Sequence, residues 1–440
     1  ASMFVAWVFQ TYEHEICERT AQIWLRFLGF SYGTKSKDIY VDGHEREDVV
    51  KDRERFIARI LELKQKMRSY SGPDMEIETL PQLPRGAQEH ILVVHDETVT
   101  YSNDDERKVW VHSTKEGSPL RKKGMGASIM ISDFCSEQLG FLKQVDPDGS
   151  SRRITRYLEI GKNRQGYWCN SHFIEHVSEA LKAYDTQHPN TVGVFLFDNS
   201  TGHGAYAEDA LLAHRLNKNP CGKQPTELRT GRFLGIVQSM LFTEEDYLLV
   251  SFTMKDGSGS QRLESDPRPI SQIYPFLVGA PKGVYQILEE RKAIATTAIK
   301  LAAEAGHHTL ARVLSLTLES LAYVRSKCET NERCRCGPHV LARCDDFAAQ
   351  QSSIEECIQA HNQAQGTSHV CIFLPKFHPE LNFIERCWAR TKEYLRKHCD
   401  FTLPGLRQNI PVALSEQNIP VSLIRKYSRK SWAYIDAYAK

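Results

Sequence analysis

Along this chain the apolar residues keep two different spacings, and the switches between them divide it into segments. In residues 16–30 a helical spacing puts Ile23, Trp24 and Phe27 or Leu28 on one side, with Gly29 as the stop. Arg19, Thr20 and Gln22 lie on the opposite side. Residues 31–48 are polar and turn-like, and Val49 to Met67 returns to a helical period through Phe56, Ile60 and Leu63. Ser71 to Gln88, rich in Pro and Gly, reads as a linker. The period then changes. Ile91 to His95 is a continuous apolar run of the kind a buried strand needs, and it ends in Asp96-Glu97-Thr98. Lys108 to His112 predicts a second strand and Ala127 to Ile131 a third, with Leu139 to Lys143 pairing to it. A basic, glycine-rich loop, Lys115 to Gly126, lies between the second and third. Asn170 or Ser171 caps a helix that carries Ile174, Val177, Leu181 and Tyr184 on one face. Thr191 to Phe197 is another buried strand, running into Asp198-Asn-Ser-Thr-Gly-His203.

Residues 204–345 lose this regularity. They hold a short helix near Ala205–Leu216, a polar loop to Arg232, a strand pair around Tyr247–Met254 and helical stretches at Val284–Ala303 and Leu310–Val324. Residues 346–366 are helical, and Val370 to Leu374 is a last strand. The chain then turns through Pro375 and Pro379 into a helix with Ile384, Trp388 and Leu395 on one face. From Leu403 the tail is helical and basic. Three strands, then helix, strand, helix, strand, helix define an α/β chain.

Composition narrows the picture only in places. At 440 residues, two or three domains are expected. A 41% hydrophobic and 25% charged composition is that of a globular chain, and no window approaches the ~18 uncharged apolar residues of a membrane span. The first ten residues lack the basic region and cleavage site of a signal peptide. Twelve cysteines without such a signal point to reduced thiols and metal rather than a disulfide framework. The net charge of +1 says little, counting only mildly against an all-over nucleic-acid binder, and a local basic face is compatible with it: residues 385–440 carry eleven Lys/Arg against five Asp/Glu.

The chemistry sits at the segment ends. Asp96 and Asp198 close two strands, and Glu385 opens a late helix beside apolar neighbours. A carboxylate there is costly unless something positive meets it. If the first and fourth strands are neighbours in one mixed sheet, Asp96 and Asp198 emerge side by side and the last helix lays Glu385 against them. Clustered carboxylate oxygens suit hard divalent cations, and a pair of such ions stabilises the entering and leaving oxygens of a phosphoryl displacement. Singly, each acid also fits a strand-end turn, an Asx-turn or a helix N-terminus. Glu97 is expected on the opposite face, and Asp133 as a surface acid.

Three segments carry a resemblance. His95-Asp-Glu97, Asp198-Asn-Ser-Thr-Gly-His203 and Leu374-Pro-Lys-Phe-His-Pro-Glu-Leu-Asn-Phe-Ile-Glu-Arg-Cys-Trp388 resemble the three catalytic blocks of mariner-type DDE transposases. The Lys-Phe-His form of the proline turn is similar to that of a fungal branch. Lys122 to Ser132, Gly161 to Tyr167, Glu18 to Phe30 and Asp42 to Asp48 also resemble that branch. The resemblance implies a ribonuclease-H-like mixed sheet flanked by helices, interrupted by a large insertion, with an all-α N-terminal helix-turn-helix remnant. It implies Asp96, Asp198 and Glu385 as catalytic ligands of two Mg²⁺ or Mn²⁺ ions, cut-and-paste chemistry on double-stranded transposon-end and target DNA, a TA target, a homodimer and a nuclear location. The matching domains are 1–45 (a partial helix-turn-helix, since a complete one needs more upstream sequence), 46–89 (helix and linker), 90–203 and 346–400 (the two parts of the catalytic domain), 204–345 (insertion) and 401–440 (basic tail). The interval between Asp198 and Glu385 is several times longer than in ordinary mariner members, which is why 204–345 reads as inserted.

DNA contacts are expected from Arg19, Thr20 and Gln22 on the early helix, where the spacing also fits an ordinary solvated face. They are expected too from Lys122 and Lys123 in the basic loop, from His203 near the site, and from Lys376, His378, Arg386 and Arg390 around the proline turn and its helix. Cys328, Cys334 and Cys336 offer a structural Zn²⁺ three thiolates, with His339 or Cys344 as the fourth ligand. Two other readings stand beside the transposase: a domesticated, catalytically silent DNA-binding protein and a stand-alone ribonuclease-H-like nuclease.

Overall fold

A computed structural model describes residues 2–28, 43–106, 122–146, 148–200, 202–256, 259–325, 328 and 333–440. The expected strand at 108–112, the Gly29 stop, the polar stretch at 31–42 and the first part of the basic loop lie outside the described residues.

The helices and strands that position the site are, in chain order, α1 (Ser2–Tyr12), α2 (Glu18–Phe27), α3 (Glu47–Lys64), β1 (His90–Tyr101), β2 (Ser128–Ser136), β3 (Gly140–Phe141), β4 (Arg156–Glu159), α4 (Asn170–Gln187), β5 (Val192–Phe197), α5 (Gly283–Glu304), α6 (Gly337–Ala342), α7 (Ser353–Gln365), β6 (Val370–Phe373), α8 (Ile384–Lys397), α9 (Leu403–Ala413) and α10 (Val421–Tyr438). The strands form one mixed sheet in the order β6-β5-β1-β2-β3, with β4 also paired to β2. β6, β5 and β1 are parallel, and β2 runs antiparallel to β1. Both faces are covered, which explains the unbroken apolar runs. Alternate residues serve opposite faces. Ile91, Val93, Phe195 and Phe197 pack with Phe173, Val177 and Leu181 of α4 and Ile354 and Ile358 of α7. Leu92, Val94, Val194 and Leu196 pack with α3, α8, α9 and α10 through Phe56, Ile60, Trp388, Leu406 and Ile424. Between β5 and α7 a separate apolar cluster forms around α5, from Leu211 to Phe347. Its buried Arg291 meets Asp346 at 2.9 and 2.6 Å.

Several local expectations are corrected. Cys169, not Asn170 or Ser171, stands at the N-cap of α4. The linker contains a small antiparallel pair, Ser69–Ser71 with Ile77–Thr79. Near 205–216 only the turn Ala213–Arg215 is helical. There the Gln350 side chain accepts from Leu211 N–H and Arg229 holds Asp209, so contacts distant in sequence replace the local helix ladder. In α2 the buried residue is small Ala21, while Ile23, Trp24, Phe27 and Leu28 are exposed. Arg19 and Gln22 are exposed and Thr20 half-buried.

Candidate active site

The site follows from strand register. β1 and β5 pair from His90 with Val192 to Val94 with Leu196. Carrying this offset forward brings Asp96 level with Asp198, at the same end of neighbouring parallel strands. Phe373 is level with Phe197, and Leu374 N–H donates to Phe197 C=O at 2.8 Å. The chain therefore leaves β6 beside Asp198. It turns through Pro375, Phe377 (φ 65°) and a short 3₁₀ turn, Pro379–Leu381. Asn382 ties this turn back to β1, its side-chain N–H donating to His95 C=O at 3.0 Å. α8 then starts with Glu385 in its first turn, while Ile384, Cys387, Trp388, Thr391 and Leu395 are buried beneath it. Asp96, Asp198 and Glu385 line one cavity of about 270 Å³, together with Ser200, Lys376 and Asn382.

The three acids have different surroundings. Asp96 is buried, and its Oδ2 accepts from Trp388 Nε1–H at 3.0 Å. Burial, then the neighbouring charges of Glu385, Glu97 and Asp198, push its carboxyl well above the ordinary range. Glu385 opens to solvent at the cavity, but protein around it also raises its carboxyl, against the pull of Lys392. Asp198 goes the other way. Partial burial would raise it, but hydrogen bonding and charge from His203 outweigh that and hold it below its usual value. His203 Nδ1–H donates to Asp198 Oδ1, and Nε2–H donates to Glu97 Oε1 at 3.2 Å. Two acceptors on one ring require the imidazolium. Burial opposes this, yet the two carboxylates bring His203 up to about 10. Trp168 Nε1–H also donates to Glu97, at 3.1 Å.

Beneath β1 runs a directed chain of neutral groups. His176 Nε2–H donates to Ile154 C=O at 2.9 Å, so its Nδ1 accepts from Ser132 O–H at 3.0 Å and Ser132 accepts from His95 Nε2–H at 2.8 Å. Burial, reinforced by the charge of Arg156, drives His176 down to about 3. Because the folded value lies below the unfolded 6.5, this group costs stability as pH falls from 6.5 toward 3. NMR titration of the imidazole protons should find His176 uncharged at about pH 5, and urea unfolding should show stability falling from about pH 6.5 downward. A His176 that titrates near its ordinary value would contradict the buried chain.

The remaining expected residues separate into groups. Lys376 is exposed at the cavity mouth. Arg386 and Arg390 are half-buried and line an adjoining cavity of about 470 Å³ with Glu385, Tyr427 and Lys430. Lys122 and Lys123 are exposed, and Lys122 Nζ donates to Phe401 C=O at 2.8 Å. Two residues expected to contact DNA are enclosed by protein. His203 is buried, with both ring nitrogens committed to carboxylates. His378 is buried in a stack with His44, at 4.0 Å between ring centres, and Tyr438, and it also lines the cavity of the three acids. Asp133 is not a surface acid: it is buried and accepts from Arg153 at 2.7 Å and from Thr155. In the cysteine cluster, ligand atoms of Cys328, Cys334, Cys336 and His339 all lie within 4.8 Å of one another. Cys344 is not among them, its Sγ turning to Val340 C=O at 3.6 Å.

The sequence reading assigned Trp388 to the core alone and missed its bond to Asp96. An apolar helix stripe gives no sign of which indole also has an acceptor within reach. Lys392, expected with Arg386 and Arg390 on the basic face of this helix, acts on Glu385 and pulls its carboxyl down against burial.

No family model matches this chain, and no curated protein matches it. Solved structures similar to part of it include the Mos1 transposase paired-end complex with left transposon end, at TM-score 0.29 and 13% identity over 47% of this chain and 53% of that one. The mariner Mos1 paired end complex with Mg follows at TM-score 0.28 and 12% identity, over 46% and 52%. The Mos1 Strand Transfer Complex is similar at TM-score 0.28 and 13% identity, over 47% and 52%. The matches thus span about half the length of those chains.

Proposed function

We propose that this chain is a DNA transposase of the DDE type, built on a ribonuclease-H-like sheet, that cleaves transposon ends and joins them to target DNA. The observation that carries the reading is the register that levels Asp96 with Asp198 at one end of β1 and β5, with Glu385 on the same cavity. The three motif segments quoted above support it, and with them come the homodimer and the nuclear location.

The donor set fits hard divalent cations. It offers oxygen ligands only, and burial, followed by the gathered charges of Glu385, Glu97 and Asp198, raises the carboxyl of Asp96. Asp96, Asp198 and Glu385 would hold a pair of Mg²⁺ or Mn²⁺ ions, which when bound supply an activated water and stabilise charge on the phosphate oxygens. The chain's own groups position these ligands. Trp388 N–H orients Asp96, His203 keeps Asp198 ionised, and Asn382 fixes the turn that delivers Glu385. Lys376 at the mouth meets a backbone phosphate, with Arg386, Arg390 and Lys430 continuing the basic surface.

The test is incubation of the purified chain with Mg²⁺ or Mn²⁺ and a plasmid carrying the DNA that flanks this coding sequence. Metal-dependent cleavage at the ends followed by joining to a second DNA is expected. Cleavage without joining would favour a stand-alone nuclease, and DNA binding without cleavage a silent DNA-binding protein. Lys376→Ala should weaken binding similarly on all sequences and make the plot of log affinity against log salt shallower by about 1. A loss confined to one DNA sequence would argue against a phosphate contact.

A further inference from the structure

We infer that Cys328, Cys334, Cys336 and His339 form a closed structural zinc site, with His339 rather than Cys344 as the fourth ligand. The spacing explains how the ligands converge. Cys334 and Cys336 are two apart, and their sulfurs converge with the other two ligand atoms within 4.8 Å. Cys336 is the N-cap of α6, and His339 follows one helical turn later, on the same side. Cys328 comes from across the loop. Its partner segment is pinned where Val324 pairs with Cys336 and Val324 N–H donates to Arg335 C=O at 2.8 Å.

The distances lie near those of a tetrahedron's edges. Bond lengths of about 2.3 Å to sulfur and 2.0–2.1 Å to nitrogen place tetrahedral ligands about 3.8 Å apart for S···S and about 3.6 Å for S···N. Cys328 Sγ and Cys334 Sγ are 4.0 Å apart, and His339 Nδ1 lies 3.5 Å from Cys328 Sγ and 3.1 Å from Cys336 Sγ. A disulfide needs about 2.05 Å and would leave the imidazole and a thiol without a role. The surroundings hold the ligands in place. Arg343 donates to Cys334 C=O at 2.8 Å, and Gly337 leaves room for the Tyr285 ring, which a Cβ there would meet at 2.7 Å. Cys334 and Cys336 are both buried. Four protein ligands leave no open position, so the site is structural. It ties Cys328 to α6, which packs against α5, shortly before the chain returns through α7 and β6 to Glu385.

The experiment is metal analysis of the untagged full chain, purified with reductant and without added zinc. One zinc per chain is expected in the wild type and in Cys344→Ser, and about a tenth of that or less in Cys336→Ser. Should Cys336→Ser fail to fold, Co²⁺ exchange into the wild type supplies the second readout: the absorption of a tetrahedral site with three thiolates and one imidazole. Absence of zinc together with absence of those bands would overturn the site. Loss of zinc in Cys344→Ser to the same extent as in Cys336→Ser, with His339→Ala retaining it, would overturn the ligand assignment. Both readouts are independent of DNA cleavage, so the zinc site and the transposase reading can fail separately.

Discussion

Asp96→Asn, Asp198→Asn and Glu385→Gln are each expected to lower metal-dependent DNA cleavage by about 10³-fold or more, equivalent to about 4 kcal/mol of transition-state stabilisation. Each amide keeps the shape of the side chain it replaces but removes an anionic ligand. DNA binding should persist, because in the proposed function affinity comes from phosphate contacts by Lys376 and the basic surface of α8 rather than from the acids. The folded state should also persist. Asp96 is buried among Glu97, Asp198 and Glu385, so a neutral Asn there relieves repulsion, and its carbonyl can still accept from Trp388. Without metal, thermal unfolding of Asp96→Asn should therefore occur at or above the wild-type temperature. Adding Mn²⁺ should raise that temperature for the wild type and much less for the variant. Cleavage within a few-fold of wild type in any of the three variants would remove that residue from the proposed triad.

Trp388 has the second large effect, and it separates packing from chemistry. Its side chain is 2% exposed and packs in the cluster that joins α8 to the sheet, tilted against Phe141. Trp388→Ala should cost about 3–5 kcal/mol of stability, measured by urea unfolding. Trp388→Phe retains most of the apolar volume but removes the N–H that Asp96 Oδ2 accepts. Its stability loss should be the smaller of the two, while cleavage falls by about 10–100-fold, the usual effect of removing a group that orients a metal ligand. Full activity in Trp388→Phe would mean that Asp96 is oriented by its strand alone.

These residues also show where sequence reading succeeds and where it stops. The runs Ile91–His95, Thr191–Phe197 and Val370–Leu374 announce strands because a sheet buried on both faces needs apolar residues at every position. The face Ile384–Trp388–Leu395 announces a helix because its period is local. The acids at the ends of these elements could be nominated for the same reason. By contrast, the early helix turns its large apolar residues outward and encloses only Ala21. Periodicity identifies a face but not whether anything covers it.

The sequence by itself determined the type and order of the elements that bear Asp96, Asp198 and Glu385, since backbone sterics and side-chain spacing act over a few residues. Only the tertiary structure decided what each side chain meets. Trp388 reaches Asp96 across 292 positions, His203 clamps Asp198 and Glu97, His378 is stacked inside, and His339 rather than Cys344 joins the cysteines. Such pairings depend on strand register and helix docking. Those are set by the burial of the whole apolar surface at once, and no local stretch of sequence encodes them.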